Sequence, residues 1–249
     1  MLSYETIPMH HHDISPGRIT PAPRLNIYAN IHKGLRAMMM DTLACVGSVD
    51  IHDSTQLPAV CERVLELCDI CTSHMGHEHE FVHAAMQACQ PGSAAQIAAE
   101  HQEHLAVIAE LRETVSRPYS GCSGPMQEQA ALELYRKLAL FVAENFVHMH
   151  AEEVEHVKVL WACYNDEELH ALEERIVASM PPADTLMHMR WMIPAMAPVE
   201  RAALLSGMQA VAPARVFSTV LDTVQPHLSH NDWSKLTRAL ASTRASMSV

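Results

Sequence analysis

Residues 126–164 read MQEQAALELYRKLALFVAENFVHMHAEEVEHVKVLWACY. Apolar residues recur there at three- and four-residue spacing with no glycine or proline between them, the period of a long helix with one buried face. The helix is expected to close at about Asn165. Three earlier segments share the pattern. LNIYANIHKGLRAMMMDTLACVG starts at Leu25, with Gly47 placed to end it, and DSTQLPAVCERVLELCDICTSHMGHEHEFVHAAMQAC starts at Asp53 and stops at Pro91-Gly92. SAAQIAAEHQEHLAVIAELRETVS starts at Ser93 and gives way to the breaker run RPYSGCSGP. Glycine is scarce and β-branched alternation nearly absent, so the fold class is all-α. The links are too short to cross the length of such helices, which predicts an up-down-up-down four-helix bundle over residues 25–165.

Residues 1–24 read as a Pro-rich extended leader, and residues 166–249 as a helical C-terminal extension. The extension breaks into shorter pieces: DEELHALEERIVASM, a Pro181-Pro182 break, MRWMIPAM, PVERAALLSGM, ARVFSTVLDTV and HNDWSKLTRALAS. These are expected to be additional short helices packed on the bundle or on a partner, including a second copy of the chain as a homo-oligomer.

The chain of 249 residues is 49% apolar, enough for one large core with an appendage. Its formal charge is -12 and no run of Lys or Arg collects on a predicted face, so neither nucleic acid nor an anionic membrane is an expected partner. No apolar run approaches the roughly 20 residues needed to span a bilayer. MLSYETIPMHHHDISPGRITPAPR lacks the order of a signal peptide, and a cytoplasmic location follows by default. The seven cysteines, an odd number, include Cys68 and Cys71 inside an apolar helical pattern; they are read as reduced core or groove residues. Met38, Met39 and Met40 read as core filling rather than a thioether copper site, and His10, His11 and His12 as a polar chain end.

Eighteen histidines are the outlier, roughly three times ordinary usage. Residues four apart on a helix point the same way, so His74 and Glu78 can grip one ion, and His148 and Glu152 repeat the spacing. His170 and Glu174 share it by chance and serve as a solvated control. The first two pairs stand out because HMGHEHEFVH and HMHAEEVEH read as a divergent repeat on the second and fourth helices. The first helix adds His32 on the face of Leu35 and Met39; the third adds His101 with His104 on the face of Ile108 and Leu111. Imidazole and carboxylate directed into one apolar interior are costly unless something binds them, and a metal supplies that partner. Mixed imidazole and carboxylate donors suit iron or manganese, and a pair of Glu residues bridging two ions is how helical bundles hold dinuclear centres. His77 lies beside His74 and Glu78 on a helical wheel and Glu153 follows the fourth-helix pair, so both are expected behind the ligands. Tyr28 shares the face of His32, either to pack or to hydrogen-bond. His79, Glu155 and His156 are expected on solvated helix faces.

His32 in HKGLRAMM, His74 and Glu78 in HMGHE, the His101/His104 pair and His148 in HMHAEE resemble the hemerythrin-like (HHE cation-binding) family, over roughly residues 25–163. The layout looks like that of bacterial members with a helical C-terminal extension. The resemblance implies a non-haem di-iron centre in the four-helix bundle, bridged by carboxylates and open to O2 or a related ligand at one iron. Its metal ligands would be His32, His74, Glu78, His101 or His104 or both, His148 and Glu152, with Mn or Zn as substitutes for Fe. The third-helix histidines are three apart where the oxygen carriers have four, and the fourth helix has His-x-x-x-Glu where they have Asp at five. That form is closer to the regulatory and enzymatic branches. The expected function is binding or sensing of O2, NO or peroxide. The alternatives are a di-iron enzyme that activates O2 or detoxifies peroxide or NO, and an iron-responsive regulatory interaction protein.

Overall fold

Punctuation residues set where each helix begins and ends. The computed structural model describes residues 24–53, 55–116 and 125–246. Most of the leader, with the His10–His12 triplet, and most of the breaker run with Cys122 lie outside the described residues.

Helix α1 spans Ala29–Ser48 and buries Leu35, Met38, Met39 and Val46 on one side, leaving Met40 exposed. Helix α2 spans Gln56–His77 and runs on through a π-helical turn, Glu78–His83, into Ala84–Cys89. The chain reverses at Gly92, whose φ of 91° lies in the left-handed region that glycine adopts without strain. Helix α3 is Ala95–Ser116. Helix α4 is Pro125–Ala151, which continues through a second π turn, Glu152–His156, into Val157–Cys163. Asn165 then caps α5, Asp166–Ser179, in a reciprocal box with Glu168. Pro182 and Pro198 open α6, Pro182–Ala195, and α7, Pro198–Val211, at the first-turn position where a missing N–H costs nothing. Helix α8, Ala214–Val224, and α9, His230–Ser246, complete the chain, joined by a 3₁₀ turn at Gln225–His227. The described residues are helical almost throughout and contain no strand. No helix among them is long and apolar enough to cross a membrane.

Helix α1 packs on α2 and α4, and α3 packs on the same two, so the four long helices enclose one interior. That interior is layered. One apolar cluster gathers Leu35, Met38, Met39, Leu67, Leu111, Leu138, Phe141 and Met149. A second gathers Ile27, Tyr28, Phe81, Met86, Leu160, Leu169 and Leu172, so α5 closes this end. His32 and Glu78 each lie one helical turn from a member of either cluster, and Glu152 follows Met149 by three residues; all three are buried. Beyond this second cluster Cys89 and Cys163 are joined by a disulfide with Cα atoms 6.1 Å apart. The bond corrects the expectation of reduced cysteines for this pair: the residues lie 74 positions apart, at the ends of α2 and α4, and meet only through the fold. Cys68 and Cys71 are free and buried, and burial pushes the Cys68 thiol up to about 11.

The extension has its own core of Ile193, Leu205, Phe217, Val220, Val224, Leu236 and Leu240. Helix α6 belongs to both units, because Met187 and Trp191 pack on the core of the long helices while Ile193 faces the extension. It crosses α1 at Gly34, where an added Cβ would lie 2.9 Å from the backbone N and Cα of Met192. Backbone cannot yield as a flexible side chain would, so Gly34→Ala is expected to destabilise by about 1–3 kcal/mol despite alanine's better helix propensity. Gly76 on α2 has nothing within 4 Å of the same position. Gly76→Ala is therefore expected to stabilise by roughly 0.5–1 kcal/mol. Paired urea denaturation curves check both signs, and a stabilised Gly34→Ala would show that α6 does not press on α1.

Candidate metal centre

Each of the four long helices contributes an imidazole to the polar layer, and α2 and α4 each add a glutamate one turn after their histidine. The His74 and Glu78 side chains share a face of α2 with Nε2 to Oε1 at 3.1 Å; on α4, His148 Nε2 lies 3.3 Å from Glu152 Oε1. The two carboxylates divide their oxygens. Glu78 Oε1 faces His74 and His32, the latter at 3.7 Å, while its Oε2 faces His101 at 3.4 Å. Glu152 Oε2 faces His32 at 3.5 Å, while its Oε1 faces His148 and also His101 at 3.7 Å. Two donor sets result, each drawing one oxygen from either carboxylate: His32, His74, Glu78 and Glu152, then His101, His148, Glu78 and Glu152.

Spacing fits a cation in each set. Ligand bonds of about 2.1 Å at right angles separate neighbouring donors by about 3.0 Å. His74 and His32 bring their Nε2 atoms to 3.3 Å, and His101 and His148 bring theirs to 2.9 Å. All four oxygens of Glu78 and Glu152 are buried without an aligned hydrogen-bond donor. Such groups are costly unless paired, and two ions would pair all four.

Outer partners turn the rings inward. His32 Nδ1–H donates to Glu153 Oε1 at 3.0 Å, and Glu153 is itself held by Arg36 at 2.6 and 3.1 Å. His148 Nδ1–H donates to Glu100 Oε2 at 2.9 Å. Both bonds leave Nε2 as the inward atom, the arrangement in which a carboxylate fixes the tautomer of a ligating histidine.

The imidazoles and carboxylates of this layer shift one another's proton affinities. Burial disfavours the His32 imidazolium, but Glu153, Glu78 and Glu152 together raise it to about 9. His101 reaches about 9 for the same reason, with Glu152 and Glu78 overcoming burial. Burial opposes ionisation of Glu78, yet His74, His101 and His32 hold its carboxyl well below the ordinary range. Glu152 is also lowered, because His101 and His148 outweigh both burial and the repulsion from Glu78. Cations are thus already preferred in this layer.

The remaining expected residues divide. His104 is buried but stands outside both sets, its ring edge-on to His148 at 4.8 Å and its Nδ1 without a partner. Burial, His148 and His101 push it down to about 4, so it is neutral. Half-buried His77 stands outside both sets, with His74, Glu80, Asp184 and Glu78 as its electrostatic neighbours. Tyr28 is buried against the His32 ring at 5.2 Å, with its hydroxyl 3.3 Å from His156 Nδ1. The control behaves as a surface group: exposed His170 pairs with Glu173 at 3.3 Å.

One expectation is overturned and one partner was missed. His156, expected on a solvated face, is 4% exposed and lies inside. It stands four residues after Glu152 and so shares that residue's inward face, the spacing that also pairs His148 with Glu152. His79 and Glu155 are exposed as expected. Glu100 had no signal beyond standing four residues before His104, and only the fold sets it behind His148.

No protein-family model matches the chain, and neither a curated protein nor a solved structure matches it.

Proposed function

We propose that the chain is a hemerythrin-like protein whose four long helices form an up-down-up-down bundle holding two non-haem iron ions, and that it binds or senses O2, NO or peroxide there. The observation that carries this reading is the division of oxygens. Glu78 and Glu152, both buried, each present one oxygen to either pair of histidines. That is what two bridging carboxylates require. Mn and Zn accept the same donors, so the choice of iron rests on the mixed nitrogen and oxygen set and on the family resemblance.

Bound iron would supply reversible electron transfer to a small oxidant or diatomic ligand. The chain supplies the surroundings. His32 and His74 would hold one ion, His101 and His148 the other, and Glu78 and Glu152 would serve both. Glu153 and Glu100 keep the inward ring nitrogens deprotonated by accepting the outer protons. The apolar clusters on either side exclude bulk water, which strengthens each charge interaction within.

Anaerobic reconstitution with Fe(II) tests the assignment. His74→Ala and His148→Ala are expected to lower bound iron well below the wild-type level, and His170→Ala to leave it unchanged. Equal loss in all three, or in none, overturns the reading. A visible band that forms and reverses on air exposure without product supports binding or sensing. Repeated turnover of peroxide or NO would replace that role with the enzymatic one on the same centre.

A further inference from the structure

We propose that His83, His156 and Glu152 form a third cation site beside the two-ion centre, taking a divalent transition metal such as Fe(II). The proposal rests on the two-ion reading only for its neighbour: it shares Glu152 with that centre and uses neither of the other sets' histidines.

Two departures from α-helix, one on each helix, border the site. After Glu78 on α2 and after Glu152 on α4 the helix widens into a π turn, and each turn ends on a histidine, His83 and His156. In an unbroken α-helix a residue five positions on is rotated about 140° away. The wider turn reduces that angle and carries His83 toward the interior that Glu78 faces. π turns of this kind occur frequently at functional sites, and here the same device follows both copies of the His-x-x-x-Glu repeat.

The His83 side chain it turns inward lacks a hydrogen-bond partner of its own. His83 is 3% exposed, and neither of its ring nitrogens has a hydrogen-bond partner. A buried imidazole that only packs is normally satisfied at one nitrogen or both. Its contacts are instead a stacked ring, His101 at 5.2 Å, and an edge-on ring, His156 at 5.7 Å. Ligand atoms from His83, His156 and Glu152 all lie within 4.8 Å of one another. His156 is oriented from behind: its Nδ1–H can donate to the Tyr28 hydroxyl oxygen at 3.3 Å, leaving Nε2 as the free lone pair.

Two imidazoles and one carboxylate with open positions are a donor set suited to Fe(II) and to zinc.

Equilibrium dialysis of the full chain against Fe(II) without oxygen, with bound iron counted per folded chain, tests the site. Wild type is expected to hold three ions, and His83→Ala and His156→Ala two each, with the Mössbauer signature of a coupled pair retained. His83→Phe, which fills the volume of the ring, is expected to match His83→Ala and guards against a folding defect. Two ions in the wild type, lost on His148→Ala, would overturn the third site and leave the two-iron reading standing. Three ions in the His83→Ala/His156→Ala double variant would overturn it as well. One ion in the wild type, lost on His83→Ala and untouched by His148→Ala, would keep this site and sink the two-iron reading.

Discussion

Glu152→Gln is expected to empty both halves of the centre at once, taking bound iron from two ions per chain in those sets to near none while the far-ultraviolet helical signal stays at its wild-type level. Glu152 is the one residue common to every donor group, and its side chain is completely buried. On the two-ion proposal a histidine variant would remove one ligand from one ion, whereas Glu152→Gln would leave a single amide oxygen for two ions and remove the negative charge that offsets them. The amide keeps the shape, so the buried volume is preserved and the loss reports on charge and ligation rather than on a cavity. Glu152→Ala is expected to lose as much iron, with an added stability cost from the space it leaves. Iron content by elemental analysis, normalised to folded protein, gives the readout. A Glu152→Gln chain that kept both ions would mean the carboxylate does not span them.

Removing iron from the wild-type protein should produce the largest change in thermal stability. An ion that binds only the folded chain adds about 4 kcal/mol at a free concentration one thousand times its dissociation constant. Each kcal/mol moves the midpoint by roughly 2–4 °C in a chain of this size, so chelation is expected to lower it by about 10 °C or more. The metal-free interior softens the fall by protonating His32 and His101, which neutralises much of the carboxylate charge. Calorimetry on chelated and reconstituted samples measures the difference. A midpoint that did not move would show that protons alone satisfy the layer.

The helices were legible because their apolar period is long and their ends carry Pro, Gly or Asn, and α1 to α4 lie within a few residues of the segments read from pattern alone. The pairs His74/Glu78 and His148/Glu152 were legible for the same reason: four-residue spacing is geometry that a sequence displays directly. His83 was not, because the wheel assumes a constant rotation per residue and His83 ends a turn that breaks it, whereas the burial of His156, four residues after Glu152, follows from the same spacing as the pairs. The join between Cys89 and Cys163 and the seat of α6 at Gly34 depend on which helices become neighbours, which no local pattern encodes. His101 and His104 looked interchangeable on their helix; only the position of α4 selects His101 for the donor set and leaves His104 behind His148.

The two apolar clusters that sandwich the polar layer leave little room for traffic. Of the six side chains in the two donor sets, His74 shows most to solvent, at 13% of its side chain, and the others are closed to within a few per cent. On the two-iron proposal, ions and small ligands would reach the interior past that ring or when the helices breathe. Occupancy would then be governed by the rate at which the door opens as much as by the affinity of the room behind it.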